Sequence, residues 1–324
     1  MSRIAVVGAG LAGLAASGAL RDAGHRVVVL DKGRSPGGRM ATRRVGEATF
    51  DHGAQFFTAR SPEMVACVER WLAVGLVRVW SHGFTAPYDG YPRYAVVGGM
   101  NALAKHLAAG LDVRCSTLVF AVHPGTGHAW DVVIDDATVV AADAVVMTAP
   151  VPQSYSVAIT AGIELPRELL SIDYDRTLAL LAVLDGPGAV PEPGAVQDGD
   201  PVFSMIADNR RKGVSAVPAL TLHANPAWSL EWWERPHDET LDALAAAAAP
   251  WLGGAAIVAR QLKRWRFATP QRSWPDPCWV APGGPGPLVL AGDAFAGPRV
   301  EGALRSGWAA AAAAARGQSE SSRA

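Results

Sequence analysis

A chain of 324 residues, half of them apolar, holds material for about two globular domains with sizeable cores. Its 29 basic and 30 acidic residues give a formal net charge of −1 without a basic stripe, which argues against nucleic acid as a partner. Cys67, Cys115 and Cys278 are odd in number and far apart, with neither metal-ligand spacing nor a disulfide framework; a reduced, cytoplasmic setting and no metal site are expected.

The segment Ile4 to Asp31, IAVVGAGLAGLAASGALRDAGHRVVVLD, reads as strand, turn, helix and strand in one pass. Its first apolar run has the length of a signal-peptide core. The glycine spacing and the second strand assign it instead to a folded βαβ unit, and no other stretch could span a membrane. Gly8 permits the tight turn, Gly10 lets a diphosphate approach the backbone, Gly13 lets helix pack on strand, and the helix N-terminus through Ala12 offers N–H groups to negative charge. Asp31 stands where an acid accepts the ribose hydroxyls. A glycine turn with a purely structural role is the alternative.

The next segments are KGRSPGGRMATRR and VGEATFDHGAQFFTARS. Gly37, Gly38 and Arg39 offer bare backbone and a guanidinium to a phosphate, and Lys32 and Met40 are counted with them as cofactor-binding residues. Arg43 and Arg44 read as solvated loop. His52, Gly53, Ala54 and Gln55 interrupt an apolar run with polar groups and a glycine, as where backbone lies flat against a planar ligand. His52 taken alone is as readily a structural histidine.

In that order, the glycine motif, a strand-end acid, GGRMAT and FDHGAQFFTAR resemble the FAD-binding amine-oxidase superfamily, and within it the bacterial renalase-like proteins. Many members carry Glu where this chain has Asp31, a shorter carboxylate with the same acceptors.

Further along, SPEMVACVERWLAVGLV has Met64, Val65, Val68, Trp71, Leu72 and Leu76 at helical intervals behind Ser61 and Pro62. Trp80 to Tyr94 is aromatic and Gly/Pro-containing, a strand and loop that begin a second domain. A helix from Gly98-Gly99-Met100 to about Ala109 and strands within 113–122, 129–134 and 144–148 follow. The resemblance implies that the Val119 backbone and Thr148-Ala149-Pro150 lie at the adenine. Most of the eleven tryptophans lie between 151 and 284, where core or pocket wall is the expected place for so large an apolar group. Strands are expected at 178–184, 202–207 and 219–223, and a helix at 240–252. The resemblance puts Asn209, His223, Trp265 and Arg266 at a substrate pocket; alone, His223 is as readily structural. Arg210, Arg211 and Lys212 read as a solvated turn.

LVLAGD, residues 288–293, is a buried strand ending in Gly292-Asp293, and GPRVEGA then opens a small-residue helix. Asp293 would hold the ribityl or diphosphate end of FAD, and the N–H groups after Arg299, at Val300 and Glu301, would point the positive helix end at the flavin N1–C2=O edge. Residues 317–324 read as a disordered tail.

The expected architecture is α/β: a Rossmann-like FAD-binding domain of residues 1–57, 98–150 and 286–324, with a discontinuous second domain of mixed β-sheet and helices, 58–97 and 151–285, over the isoalloxazine. The resemblance implies an FAD-dependent oxidase that takes hydride from a dihydropyridine, such as an isomer of NAD(P)H, to flavin N5, with dioxygen returning as hydrogen peroxide. An amine or amino-acid oxidase or desaturase shares every cofactor motif, and a non-enzymatic FAD-binding protein keeps them too. A peroxyflavin monooxygenase would want a second glycine motif, and none is seen.

Overall fold

The computed structural model describes residues 1–84 and 89–321, so Thr85 to Tyr88 of the aromatic loop and residues 322–324 of the expected tail lie outside it. The first pass forms β1 (Arg3–Val7), α1 (Leu11–Asp22) and β2 (Arg26–Leu30). Two ribbons follow, β3 (Thr42–Val45) with β4 (Ala48–Asp51) and, after α2 (Pro62–Ala73), β5 (Val77–Ser81) with β6 (Arg93–Val96). Ser61 Oγ caps α2 by accepting the Met64 N–H at 3.3 Å. The helix ends before Gly75, at φ +68°, so the helical spacing read through Leu76 stops early; Met64, Cys67, Val68 and Trp71 are its buried face, and Val65 and Leu72 are exposed.

α3 (Asn101–Ala108) leads to β7 (Asp112–Arg114), the meander β8 (Val119–Pro124), β9 (Trp130–Ile134) and β10 (Val139–Ala142), and then β11 (Ala144–Met147). α4 (Val151–Ala158) and α5 (Arg167–Leu170) precede β12 (Tyr174–Leu184), β13 (Ala195–Gln197), β14 (Phe203–Asp208) and β15 (Ala219–Ala224). α6 (Pro226–Glu231), α7 (His237–Ala247), β16 (Ile257–Pro270), β17 (Trp279–Val280), β18 (Leu288–Leu290) and α8 (Val300–Ser321) complete the order. The helix α8 runs to Ser321.

The chain divides into two compact units. The first comprises Met1–Gly38, Ala104–Asp173 and Pro270–Ala324, the second Arg39–Leu103 and Tyr174–Thr269. Residues 39–57 thus group with the second unit, and 151–173 and 270–285 with the first, so boundaries expected at 57, 150 and 285 lie elsewhere. Locally, the hairpin β3–β4 joins the second unit because its Phe50 packs with Leu181 and Ala219 of that unit's sheet.

In the first unit, six strands run β17-β18-β11-β1-β2-β7, parallel except for β17 at the edge. β1 pairs on both sides, Val6 with Val29 and with Val146, and these continuous apolar runs are those of strands covered on both faces. α8 packs on α1 at Gly307: a Cβ there would lie 2.2 Å from the Ala12 carbonyl, so the helices meet backbone to backbone. Among the described residues no helix is long and apolar enough to cross a membrane.

The second unit is built on the five-stranded sheet β13-β14-β15-β12-β16. Strand alternation puts Leu178, Leu180, Ala182 and Leu184 on the face packed against Leu241 and Leu244 of α7. Leu181 of β12 turns to the other face, toward the hairpin. The buried tryptophans are Trp71, Trp80 and Trp130; those from Trp228 to Trp279 are only partly buried, rimming the cores instead of filling them.

Candidate functional site

The glycine turn of the first unit is shaped by three different demands. Gly8 has φ +108°, a conformation that L side chains rarely adopt, and its N–H donates to the Leu30 carbonyl at 2.8 Å. At Gly13 a Cβ would lie 1.9 Å from the Gly8 carbonyl, so the helix–strand approach itself requires glycine. Gly10 differs from both: its φ of −74° and ψ of 178° suit any residue, and a Cβ there would meet no protein atom within 4 Å. No side chain caps α1, which leaves its first-turn N–H groups, Ala12 and Gly13 among them, directed out of the helix end.

Asp31 closes the turn. One carboxylate oxygen accepts the Ala9 N–H and the other the Gly33 N–H, each at 2.6 Å. The acid expected to receive a ribose thus also braces the loop, with lone pairs to spare. Gly37 donates to the Ala9 carbonyl at 2.8 Å, tying the Gly37-Gly38 turn to the same loop, and Lys32 Nζ donates to Gln153 at 3.0 Å. Thr148 donates from its hydroxyl toward the Val7 and Gly8 carbonyls, 3.1 Å each, which fixes Ala149 beside the turn. Val119 is buried in β8, paired with Ile134. Beyond β18, Gly292 at φ +137° donates to Ser306 Oγ at 2.8 Å, Asp293 is buried, and Arg299 sits at φ +100°, a strained value for a residue with a side chain, immediately before α8 begins at Val300 and Glu301.

In the second unit the Gly-Gly-Arg and FDHGAQ segments are stitched together. A Cβ at Gly53 would lie 1.9 Å from the Arg39 carbonyl, which accepts the Ala54 N–H at 2.8 Å. Arg39 donates from Nη1 to the carbonyls of Phe267 and Ala268, 3.3 and 3.2 Å, and its guanidinium lies over Tyr174, so it anchors β16 as well as offering charge. Met40 is buried beneath the turn.

Asp51 lies beneath these segments with no exposed side-chain surface. It accepts Lys212 Nζ at 2.7 Å on one oxygen, and the Thr42 hydroxyl at 2.6 Å and Met100 N–H at 2.7 Å on the other. Burial lowers the Lys212 pKa while Asp51 opposes the shift. Lys212 is therefore a buried ion-pair partner, not part of a solvated turn. Two further expectations change here. Asn209 is fully enclosed: its Oδ1 accepts the Asp51 N–H at 3.1 Å and its Nδ2 donates to Thr221 Oγ1 at 2.9 Å and to the Ala219 carbonyl at 3.2 Å. It fastens β4 to β15 and does not face a pocket. Gln55 likewise donates to the carbonyls of Asp51 and Gly53, at 2.6 and 3.1 Å, and accepts from Lys212.

His52, His223 and Trp265 are brought together. Trp265 Nε1 donates to the His52 carbonyl at 2.7 Å, His223 Nε2 lies 3.2 Å from the same oxygen, and the His52 and Trp265 rings stack at 5.3 Å and 21°. That carbonyl makes His223 Nε2 the protonated nitrogen of a neutral ring. Burial first, then the charge of Lys263 and other neighbours, lowers the His52 pKa to about 4; burial first, with Lys212 adding to it, does the same for His223. His52 Nδ1 is a buried nitrogen without a hydrogen-bond partner. Arg266 is exposed and lies over Phe267, because strand alternation turns it to the side opposite Trp265; the residue that shares the Trp265 side is Lys263.

These depressed pKa values have a measurable consequence. Both histidines bind a proton less readily folded than unfolded, where the pKa is 6.5, so stability is fully present above that value and is lost as pH falls toward 4. Thermal melts between pH 8 and pH 4 should fall below about pH 6.5, and less steeply when either histidine is replaced by Gln.

A family model for NAD(P)-binding Rossmann-like domains matches residues 6–71, and one for flavin-containing amine oxidoreductases matches residues 79–315. Among solved structures, the chain superposes on a protein assigned as protoporphyrinogen oxidase from Exiguobacterium sp. 255-15 with a TM-score of 0.72, at 14% identity over 99% of both chains. It superposes on putrescine oxidase with putrescine bound at a TM-score of 0.71 and 16% identity, over 96% of this chain and 98% of that one. At such identities the likeness speaks for the fold.

Proposed function

From the premise that the chain belongs to the flavin-containing amine oxidoreductase family and is an FAD-dependent oxidoreductase, we propose that it oxidises a dihydropyridine, as renalase-like proteins do. The cradle suits the cofactor: open space at Gly10, an uncapped helix end and a braced acid at Asp31 are what a dinucleotide diphosphate and ribose need. Gly8, Gly10, Ala12, Gly13 and Asp31 would hold the ADP half, with Lys32, Val119 and Ala149 beside it. Gly38, Arg39 and Met40 would extend the diphosphate cradle, His52, Gly53 and Ala54 would lie along the planar ring, and Gly292, Asp293, Arg299, Val300 and Glu301 would serve the flavin end. FAD, when bound, supplies the acceptor for the substrate's hydride and the route by which its electrons reach dioxygen.

The observation that carries the reading is the character of the His52–His223–Trp265 cluster. It holds two neutral imidazoles beside an indole, and its nearby carboxylate, Asp51, is already bound to Lys212. Removing hydride from a dihydropyridine yields an aromatic cation without deprotonating carbon, so no general base is required. The nearby positive charges of Lys263 and Arg43 are a poor setting for an ammonium substrate, which weighs against the amine-oxidase reading.

Anaerobic mixing of the FAD-loaded protein with isomers of reduced nicotinamide dinucleotides should bleach the flavin rapidly, and amines should bleach it slowly. Rapid bleaching by amines alone would transfer the assignment to amine oxidation. His223→Ala should raise KM or slow the bleaching, with a loss of about 1–3 kcal/mol where a polar partner goes unpaired, while FAD content stays normal. If instead the variant is merely less stable and reduces at the wild-type rate, His223 is a structural histidine.

A further inference from the structure

Lys263 precedes Trp265 by two residues in β16, so both side chains stand on one face of the strand. Its Nζ is 4.9 Å from the centre of the Trp265 ring, which stacks on His52 in turn. Arg43 lies on β3, and the chain just before it reaches the same place, because the Ala41 carbonyl accepts the His52 N–H at 3.2 Å. Among the described residues neither Lys263 nor Arg43 has a carboxylate partner, and the nearby acid, Asp51, is spent on Lys212. Lys263, half-buried and without a counter-charge, raises the free energy of the site until an anion arrives, and Arg43 stands exposed at its edge. Burial and the charge of Arg43 both push the Lys263 pKa down, as expected of a cation lacking an anion. On the other ring of the stack, His52 Nδ1 is a buried polar atom without a partner.

We propose that Lys263 and Arg43 form an anion subsite that takes a phosphate of the substrate, beside the His52–Trp265 stack. Lys263 supplies a point charge and Arg43 a bidentate fork, the pair suited to diphosphate oxygens. The subsite rests on the dihydropyridine reading and adds to it a choice of substrate: dinucleotides over the corresponding ribosides, which carry no phosphate.

Two measurements on the FAD-loaded protein decide it. Calorimetric titration with inorganic pyrophosphate should show binding that Lys263→Met weakens about ten-fold or more and Lys263→Arg largely keeps. The ratio of kcat/KM for a dihydronicotinamide dinucleotide isomer to that for its riboside should fall about ten-fold in Lys263→Met and recover in Lys263→Arg. Pyrophosphate binding unchanged by Lys263→Met would overturn the subsite. So would an equal loss on dinucleotide and riboside, which would mean that Lys263 only shapes the Trp265–His52 stack. Should no dihydropyridine reduce the flavin, the functional reading fails, and the pyrophosphate titration still decides the subsite.

Discussion

Lys212→Met is expected to destabilise the protein by about 3–5 kcal/mol, because it leaves the Asp51 carboxylate buried and without its counter-charge. Lys212 and Asp51 both have side chains with no exposed surface, and their 2.7 Å contact joins the turn after β14 to the end of β4. Met fills nearly the same volume, so packing accounts for little of the loss. In a melt the change should appear as a fall of roughly 4–7 °C. The companion variant Asp51→Asn/Lys212→Met removes both charges and keeps an acceptor for the Thr42 hydroxyl and the Met100 N–H. It should recover much of the loss, and the cycle then yields the coupling directly. A single variant that melts with the wild type would show that the pair is energetically idle.

Gly10→Val is expected to abolish FAD retention while leaving the apoprotein folded. The two outcomes separate because neither the backbone at Gly10 nor its protein surroundings exclude a side chain, since φ is −74° and no protein atom lies within 4 Å of a Cβ built there. A branched side chain would instead stand at the mouth of α1, in the space a diphosphate needs. The measurement is flavin absorbance per mole of purified protein, paired with a melt of the FAD-free form, which should move by no more than about 1 kcal/mol for the altered N-cap. A yellow variant at full stoichiometry would remove the diphosphate from this turn.

The glycine turn was legible in the chain because its demands are local. The turn at Gly8 and the helix–strand approach at Gly13 are settled within a few residues, and the apolar strands on either side announce a buried parallel sheet. Lys212 was not legible. It is the third cation in a row in a polar turn, which reads as solvated, and its burial is decided by Asp51, 161 residues earlier. Asn209 misleads for the same reason, since Thr221 and the backbone of β4 claim its amide. In β16 the resemblance pairs the neighbours Trp265 and Arg266 as pocket residues, whereas a period of two joins Trp265 to Lys263. That signal lay in KRWRFA all along.

The backbone contact between Gly307 of α8 and Ala12 of α1 has a consequence for the order in which the protein can be made. β1 and α1 leave the ribosome first, yet β11 waits for β18 along its open side, and α1 waits for α8. Until those late segments emerge, the first unit presents an unsatisfied strand edge and a bare helix flank, the features that invite association between nascent chains. The second unit, whose residues end at Thr269, is under no such delay. A free chain truncated after Pro287 should therefore have residues 174–269 that resist protease and residues 1–38 that do not.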